Sequence, residues 1–379
     1  MRLLVFGPGH PFRGGIARTT TDLVLALRER GHEVGFFTPL RQYPRWLYPG
    51  RDDRDPGACP QVEGARPVLE PFSPWRWGPV RREALDRFAD AWILPHWTWA
   101  WMPLWCYLLS GPPPERPPAV VVVHNVADHE RRVVQRLAGR MVLGLASGLF
   151  THGELLAEEL RRSRFGTPVR AWPLAFPRAD AGPPRDAVRQ ELGVGESERL
   201  ALFVGLIRPY KGVEVLLRAF ARLPDDSPWR LLVAGEPWGG LGERLRTLHR
   251  ELGLEHRVGL DLAWVPEWRM PGLLAAADVV VLPYLAASQS AVVPLAMAHG
   301  VPVVSTAAGS ITDVVRDGEN GLVVPPGDEG ALAAAFASLD GTVLARLREG
   351  VARTAGRFTR DRHAAELEAL LDEVVQRGL

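Results

Sequence analysis

Lysine is almost missing from this chain. Of 45 basic side chains in 379 residues, Lys211 is the one lysine and the rest are arginine. Either it is a chance survivor, or its position needs a compact ammonium that a planar guanidinium does not supply. Cysteine is nearly as scarce. Cys59 and Cys106 make neither a disulfide framework nor a thiolate metal cluster, and they point to a reducing compartment. The net charge is only +1, which removes any compositional argument for a nucleic-acid partner. No short-period repeat and no GxGxxG occurs, so a dinucleotide fingerprint is unsupported. The apolar run from Met1 to Gly7 is too short for a secretory signal and reads as a first strand. Between Ala91 and Pro114 there is no Asp, Glu, Lys or Arg. That length suits a membrane span, but Pro95, His96 and Pro103 argue against one.

What remains is an ordinary globular composition in a chain long enough for two domains with sizeable cores. A strand over Arg2–Phe6 leads through Gly7, Pro8, Gly9, Gly14 and Gly15 into a helix from about Ile16 to Arg30, then a strand from His32. Residues Pro39 to Pro79 read as long loops. Arg81–Asp90 reads as a helix, and strands follow at Ala91–Leu94 and Ala119–Val123. Pro173 to Pro184 reads as a linker. The pattern then restarts, with strands at Leu200–Val204, Trp229–Ala234, Arg257–Leu260, Val279–Leu282, Val301–Val304 and Leu322–Val324. Continuous apolar runs of this kind are parallel strands buried on both faces. Their alternation with helices predicts an α/β protein of two doubly wound, Rossmann-like domains facing across a cleft. The expected domains are 1–176 and 185–360, with a helix over 361–379 free to return to the first.

The stretch from Ala276 to Thr306 reads as strand, loop, helix, strand. Its Ser288-Gln289-Ser290 loop opens into a helix expected from about Ala291, with Ser290 as N-cap. A loop after a strand's carboxyl end, leading to a helix N-terminus, is where α/β proteins receive anions; an ordinary serine-rich turn has the same local sequence. Gly14 and Gly15 let a ligand approach the backbone, or simply make a tight turn. His124 stands at the carboxyl end of a strand, and with Asp128 and His129 it offers metal ligands without diagnostic spacing. The run of Trp97, Trp99, Trp101 and Trp105 belongs either to the core or to a surface that meets a membrane or an apolar or sugar acceptor.

Several ordered motifs carry a resemblance over nearly the whole chain, weakest over Pro39 to Pro79. They are Phe203-Val204-Gly205 with Lys211-Gly212, Ala277-Asp278-Val279 with Pro283, Ala296 to Val304, Asp313-Val314-Val315, and Asp317-Gly318-Glu319-Asn320-Gly321-Leu322 with Pro325 to Asp328. In the first half, Gly14-Gly15, Arg30 to Val34, and His124-Asn125-Val126 with His129-Glu130 match as well. The sequence resembles the family 4 retaining glycosyltransferases of GT-B architecture, in a subgroup with Arg-Pro-Tyr-Lys-Gly and Ser-Gln-Ser motifs. The resemblance implies an enzyme moving a sugar from a nucleotide-sugar donor to a hydroxyl acceptor, in glycan, polysaccharide or glycolipid synthesis. It implies no metal or other cofactor and no nucleic acid. It suits a cytoplasmic protein with peripheral contact at the inner membrane face.

The same resemblance assigns roles. Lys211 and Arg208 would neutralise the leaving diphosphate, and His124 would lie near the donor sugar. Gly14, Gly15, Ser288, Gln289, Ser290, Ala291 and Val292 would surround the donor phosphates and sugar. Glu236, Trp264 and Val265 would lie near the base, and His96, Trp97 and Trp99 near the acceptor. Two family glutamates are replaced by Ala287 and Leu295, and the family's arginine after the strand glycine is Leu206. Arg208, two residues on, shares a face with it on an extended backbone. The missing carboxylates keep a second reading alive, a catalytically silent GT-B protein that binds a nucleotide or glycan.

Overall fold

The computed structural model describes residues 1–43, 53–55, 62–111, 115–125, 133–163, 166–179 and 181–378. The chain forms two compact units, one of residues 1–175 with 359–379 and one of residues 176–358.

The first unit is built on a parallel sheet whose strands, in chain order, are β1 (Arg2–Phe6), β2 (Glu33–Pro39), β3 (Ala65–Leu69), β4 (Ala91–His96), β5 (Ala119–Val123), β6 (Gly148–Thr151) and β7 (Val169–Ala171). Their spatial order is β3-β2-β1-β4-β5-β6-β7. Both faces of the central strands are covered, which is why Val120 to Val123 is apolar without alternation. β3 corrects the expectation of unbroken loops over 39–79, because Ala65–Leu69 adds a strand at the sheet edge beside β2. Arg66 and Pro67 interrupt its apolar residues and hide the strand signal, as suits an edge. The helix expected over Arg81–Asp90 runs instead over Trp77–Leu85. A long helix, Arg360–Gln376, packs on this unit and buries His363, Ala364, Leu367, Leu370, Leu371 and Val374. Arg30 clamps it at the surface through Asp361 and Glu368.

The second unit is also a wholly parallel sheet. Its strands are β8 (Arg199–Val204), β9 (Trp229–Ala234), β10 (Val258–Asp261), β11 (Val279–Leu282), β12 (Val303–Thr306) and β13 (Gly321–Val324). They lie in the order β10-β9-β8-β11-β12-β13. Asp278 ties its parts together. The carboxylate is 6% exposed and accepts bonds from Arg185 (2.7 Å), Arg348 (2.9 Å), Arg189 (3.2 Å) and the Leu200 backbone N–H (2.9 Å). Burial alone would raise its pKa; the Leu200 N–H and the arginine charges outweigh that and hold it low.

In each sheet the strand order reverses once, between β1 and β4 and between β8 and β11. Loops leaving the carboxyl ends of strands diverge there, opening the crevice in which α/β proteins bind ligands.

Candidate functional site

In the second unit the switch point is formed by the loops after β8 and β11. Gly205 has φ +118°, Arg208 is extended (φ −128°, ψ 157°), and Pro209–Lys211 makes one 3-10 turn ending at Gly212. The Leu285 N–H donates to the Tyr210 carbonyl at 2.7 Å, joining the two loops. At Gly212, with φ +66°, a Cβ would stand 2.0 Å from the Pro283 carbonyl oxygen, so only glycine permits this approach.

Lys211 and Arg208 are both half-buried here. Burial lowers the Lys211 pKa, and the charge of Arg208 adds to the effect. Among the described residues, no carboxylate forms an ion pair with either cation. Lys211 Nζ lies 5.4 Å from the centre of the Tyr284 ring, and the Arg208 guanidinium lies 4.0 Å from the centre of the Trp238 ring. Tyr284 is buried, its hydroxyl 3.4 Å from Ser290 Oγ, and its pKa is pushed up to about 12 by that burial. The geometry therefore links Lys211 to the Ser288-Gln289-Ser290 loop through Tyr284. Two cations without an ion-pair partner among the described residues are chemically suited to an anion carrying more than one charge.

The expected helix after this loop starts later than its sequence suggests. It spans Val292–Ala298, with Ala291 rather than Ser290 as N-cap. Ser290 Oγ instead accepts from the Val292 N–H at 3.3 Å, so that amide already has a partner. The Ser288 carbonyl accepts from Ser310 N–H at 3.2 Å, and at Gly309 a Cβ would stand 1.8 Å from the Ala287 carbonyl oxygen. Leu295, where the family carries a glutamate, is a core residue at 7% exposure.

Glu236 lies in the adjoining loop after β9. Its carbonyl accepts from Ile207 N–H at 2.9 Å, and Trp238 N–H donates back to the Ile207 carbonyl at 2.9 Å. Trp264 and the buried Val265 follow β10, two strands from β8. Sequence pattern gives Tyr284 only as the residue ending a strand and gives Trp238 no role; their position just past two strand ends is the one signal that marks them.

The other predicted residues belong to the first unit. Gly14, with φ +105°, is the N-cap of the helix Gly15–Glu29, which has no side-chain cap and no acidic residue in its first turn. His124 is 4% exposed, and its N–H donates to the His96 carbonyl at 2.8 Å. Its ring centre lies 4.8 Å from that of His152 at a tilt of 40°, and His152 stacks on His363 at 5.3 Å with an interplanar angle of 16°. Burial lowers all four histidines: His124 to about 3, with His363 and His96 adding, His96 and His363 to about 4, and His152 well below its usual value. They are neutral at pH 7. A cavity of roughly 20 Å³ is lined by Thr19, Thr20, Pro95, His124, His152 and His363, space for about one water. Asp128 and His129 lie outside the described residues. Among those described, no group of three or more His, Cys, Asp or Glu side chains is arranged to hold a metal.

The tryptophan run is core. Trp97 is 7% exposed and Trp101 and Trp105 are 0%, their rings in successive contact at 5.1 Å with tilts of 45° and 39°. Trp101 Nε1 donates to the Gln42 carbonyl and Trp97 Nε1 to Tyr43 Oη. His96 is buried too, so of the three acceptor candidates only Trp99, at 45%, reaches the surface. Of the two readings of this run, core rather than membrane surface holds for Trp97, Trp101 and Trp105, which share one buried cluster with Leu4, Phe6, Trp92 and Leu94. Among the described residues no single helix is long and apolar enough to cross a membrane.

Two parallel doubly wound sheets, one with paired cations at its switch point, define an α/β protein of two Rossmann-like units. Comparison with known proteins narrows this. Residues 198–340 match the family described as glycosyl transferases group 1, and residues 13–176 match Glycosyltransferase Family 4. The two matches fall on the two units, and the chain belongs to the family 4 glycosyltransferases of GT-B type. It is 35% identical over 230 residues to a D-inositol 3-phosphate glycosyltransferase of Mycobacterium sp. (strain KMS), covering 58% of this chain and 51% of that protein. A protein with the same description from Thermobispora bispora is 35% identical over 204 residues, 51% of this chain and 47% of that protein. The chain spans about half the length of these curated relatives. Among solved structures, sucrose-phosphate synthase from Thermosynechococcus elongatus superposes with a TM-score of 0.79 at 20% identity, covering all of both chains. Anabaena HepE in complex with UDP gives 0.75 at 20% identity, covering 97% of this chain and 100% of that one. At these identities the likeness is one of fold.

Proposed function

We propose that the protein is a retaining glycosyltransferase that moves a sugar from a nucleotide-sugar donor to a hydroxyl of a glycan or lipid-linked acceptor. The observation that carries this reading is the pair Arg208 and Lys211, two cations at the switch point of the second sheet with no acidic partner among the described residues. As the glycosidic bond breaks, negative charge accumulates on the leaving diphosphate, and preorganised cations stabilise it most in the transition state. The departing phosphate then faces the oxocarbenium-like sugar and accepts the acceptor's proton. His124, being buried and neutral, suits hydrogen bonding to a sugar hydroxyl better than charge stabilisation. UDP in the HepE complex makes uridine diphosphate the first donor nucleotide to try. No step calls on a metal, and the location is proposed as cytoplasmic.

The test is a thermal-shift panel with UDP, GDP, ADP, dTDP and their sugar conjugates, followed by donor hydrolysis in the absence of acceptor. One nucleotide should raise the melting temperature, and Lys211→Ala should remove that shift while leaving the apo melting temperature unchanged. A Lys211→Ala protein that keeps nucleotide affinity overturns the assignment. Ala287 and Leu295 in place of glutamates favour the second reading, a silent GT-B protein; nucleotide binding without any hydrolysis or transfer would establish it.

A further inference from the structure

Anion sites have a holding problem. A guanidinium anchored by a carboxylate is fixed but neutralised, whereas one left loose keeps its charge and costs rotamer entropy when it binds. The second unit shows the ordinary solution many times. Arg189 is held by Asp278, Arg230 by Glu198, and Arg257 by the carbonyls of Leu223, Pro224 and Asp225. Arg199 lies 6.0 Å from the Trp229 ring centre, but it also donates to the Leu339 carbonyl. Arg208 is different. Among the described residues no acceptor binds its side chain, and its guanidinium carbon sits over the Trp238 ring, 4.0 Å from the ring centre.

The platform is itself fixed. Ile207 ties the β8 loop to the β9 loop twice: its N–H donates to the Glu236 carbonyl and its carbonyl accepts from the Trp238 N–H, both at 2.9 Å. Behind them the loops touch: a Cβ at Gly235 would stand 2.0 Å from the Gly205 carbonyl oxygen. Trp238 is half-buried rather than part of the core, so filling space does not account for it. A ring face meets the flat face of a guanidinium and leaves its in-plane N–H donors for another partner. Tyr284 stands to Lys211 in a similar relation, at 5.4 Å.

We propose that Trp238 is a positioning residue that holds the Arg208 guanidinium in place, with its charge and donors unspent, for a diphosphate. This inference rests on the reading that Arg208 and Lys211 bind the donor's diphosphate. It adds that the arginine's displacement from the family position Leu206 is served by an aromatic residue on the neighbouring loop.

The experiment is calorimetric titration of the whole chain with inorganic pyrophosphate. Wild type is compared with Trp238→Leu, Trp238→Phe, Arg208→Ala, Lys211→Ala and the Arg208→Ala/Trp238→Leu double variant, with each variant's melting curve taken to verify folding. Trp238→Leu is expected to weaken binding about fivefold, the scale of one partly exposed cation–π contact, and Trp238→Phe to recover most of it. In the Arg208→Ala background Trp238→Leu should change nothing further. Wild-type affinity in a folded Trp238→Leu protein, or an equal loss when Arg208 is already gone, overturns the proposal while the diphosphate reading stands. Indifference of pyrophosphate binding to Lys211→Ala overturns the diphosphate reading, and this proposal with it.

Discussion

Replacing Asp278 by alanine removes one carboxylate that serves three arginines and a backbone amide. The cost is set by what is left behind. Arg185 and Arg348 have side chains 37% and 43% exposed, so water takes over and each loss is about 0–1 kcal/mol. Arg189 is 9% exposed and keeps only carbonyl partners, at Ala276, Gly195 and Glu198. An ion stranded in this way costs about 3–5 kcal/mol, a large share of a total stability of roughly 5–15 kcal/mol. Each kcal/mol lowers the melting temperature of a domain this size by about 2–4 °C, so the second unit should melt roughly 6–20 °C lower. Calorimetry and urea denaturation of the Asp278→Ala and Asp278→Asn proteins measure it. Asp278→Asn keeps an acceptor for Leu200 N–H and should fall between. The pH dependence follows from the lowered pKa. The carboxylate's contribution is complete above its unfolded value of about 3.9 and disappears as pH falls through the lower folded value, so wild type and Asp278→Asn should converge in acid. A loss below about 1 kcal/mol for Asp278→Ala would refute the reasoning, since it would mean Arg189 is not stranded.

The histidine column makes the first unit acid-sensitive. Folded pKa values of about 3 to 4 for His96, His124 and His363 against about 6.5 unfolded mean the unfolded chain binds more protons in that window. Stability is complete above about pH 6.5 and falls by about 1.4 kcal/mol per pH unit for each such histidine as pH drops toward the folded values; a flat urea midpoint between pH 7 and 5 would contradict this. Gly212→Ala puts a methyl 2.0 Å from the Pro283 carbonyl oxygen at φ +66°, an expected loss of about 2–4 kcal/mol measurable by denaturation. Trp101→Ala should cost about 3–5 kcal/mol, whereas Trp99→Ala should leave the melting temperature within about 2 °C, since surface changes stay near ±0.5 kcal/mol. Equal effects of the two would refute the division between buried and exposed tryptophans.

Runs such as Val120 to Val123 and Val279 to Leu282 are legible in sequence because a parallel strand covered on both faces has no polar side to display. β3 is not: Ala65-Arg66-Pro67-Val68-Leu69 is an edge strand, and an edge can carry arginine and proline. The anion site is partly legible. Lys211 and Arg208 stand out by composition and motif, but the aromatic partners come from loops after β9 and β11, and nothing in the spacing brings Trp238 to Arg208. The tryptophan run misleads for a related reason. An uncharged segment reads the same whether it faces lipid or a core, and the burial of Trp97, Trp101 and Trp105, with the hydrogen bonds of Trp97 and Trp101 to Tyr43 and Gln42, decides it. His152 and His363 are distant in sequence, and the pairing that buries them is made by the return of the helix Arg360–Gln376.

That return has a consequence for how the chain comes into being. The second unit is an insertion within the first, and its two ends meet: Phe176 N–H donates to the Phe358 carbonyl at 2.7 Å, and the two rings lie 5.6 Å apart. During synthesis the inserted unit is complete once Phe358 has emerged. The first unit, though begun earlier, still lacks the helix that covers β5, β6 and β7 and carries His363. Order of translation and order of completion are thus reversed. The nascent first sheet must wait with Phe150 and Val120 lacking the helix that packs on them, and a ribosome paused within the second unit would hold it in that incomplete state.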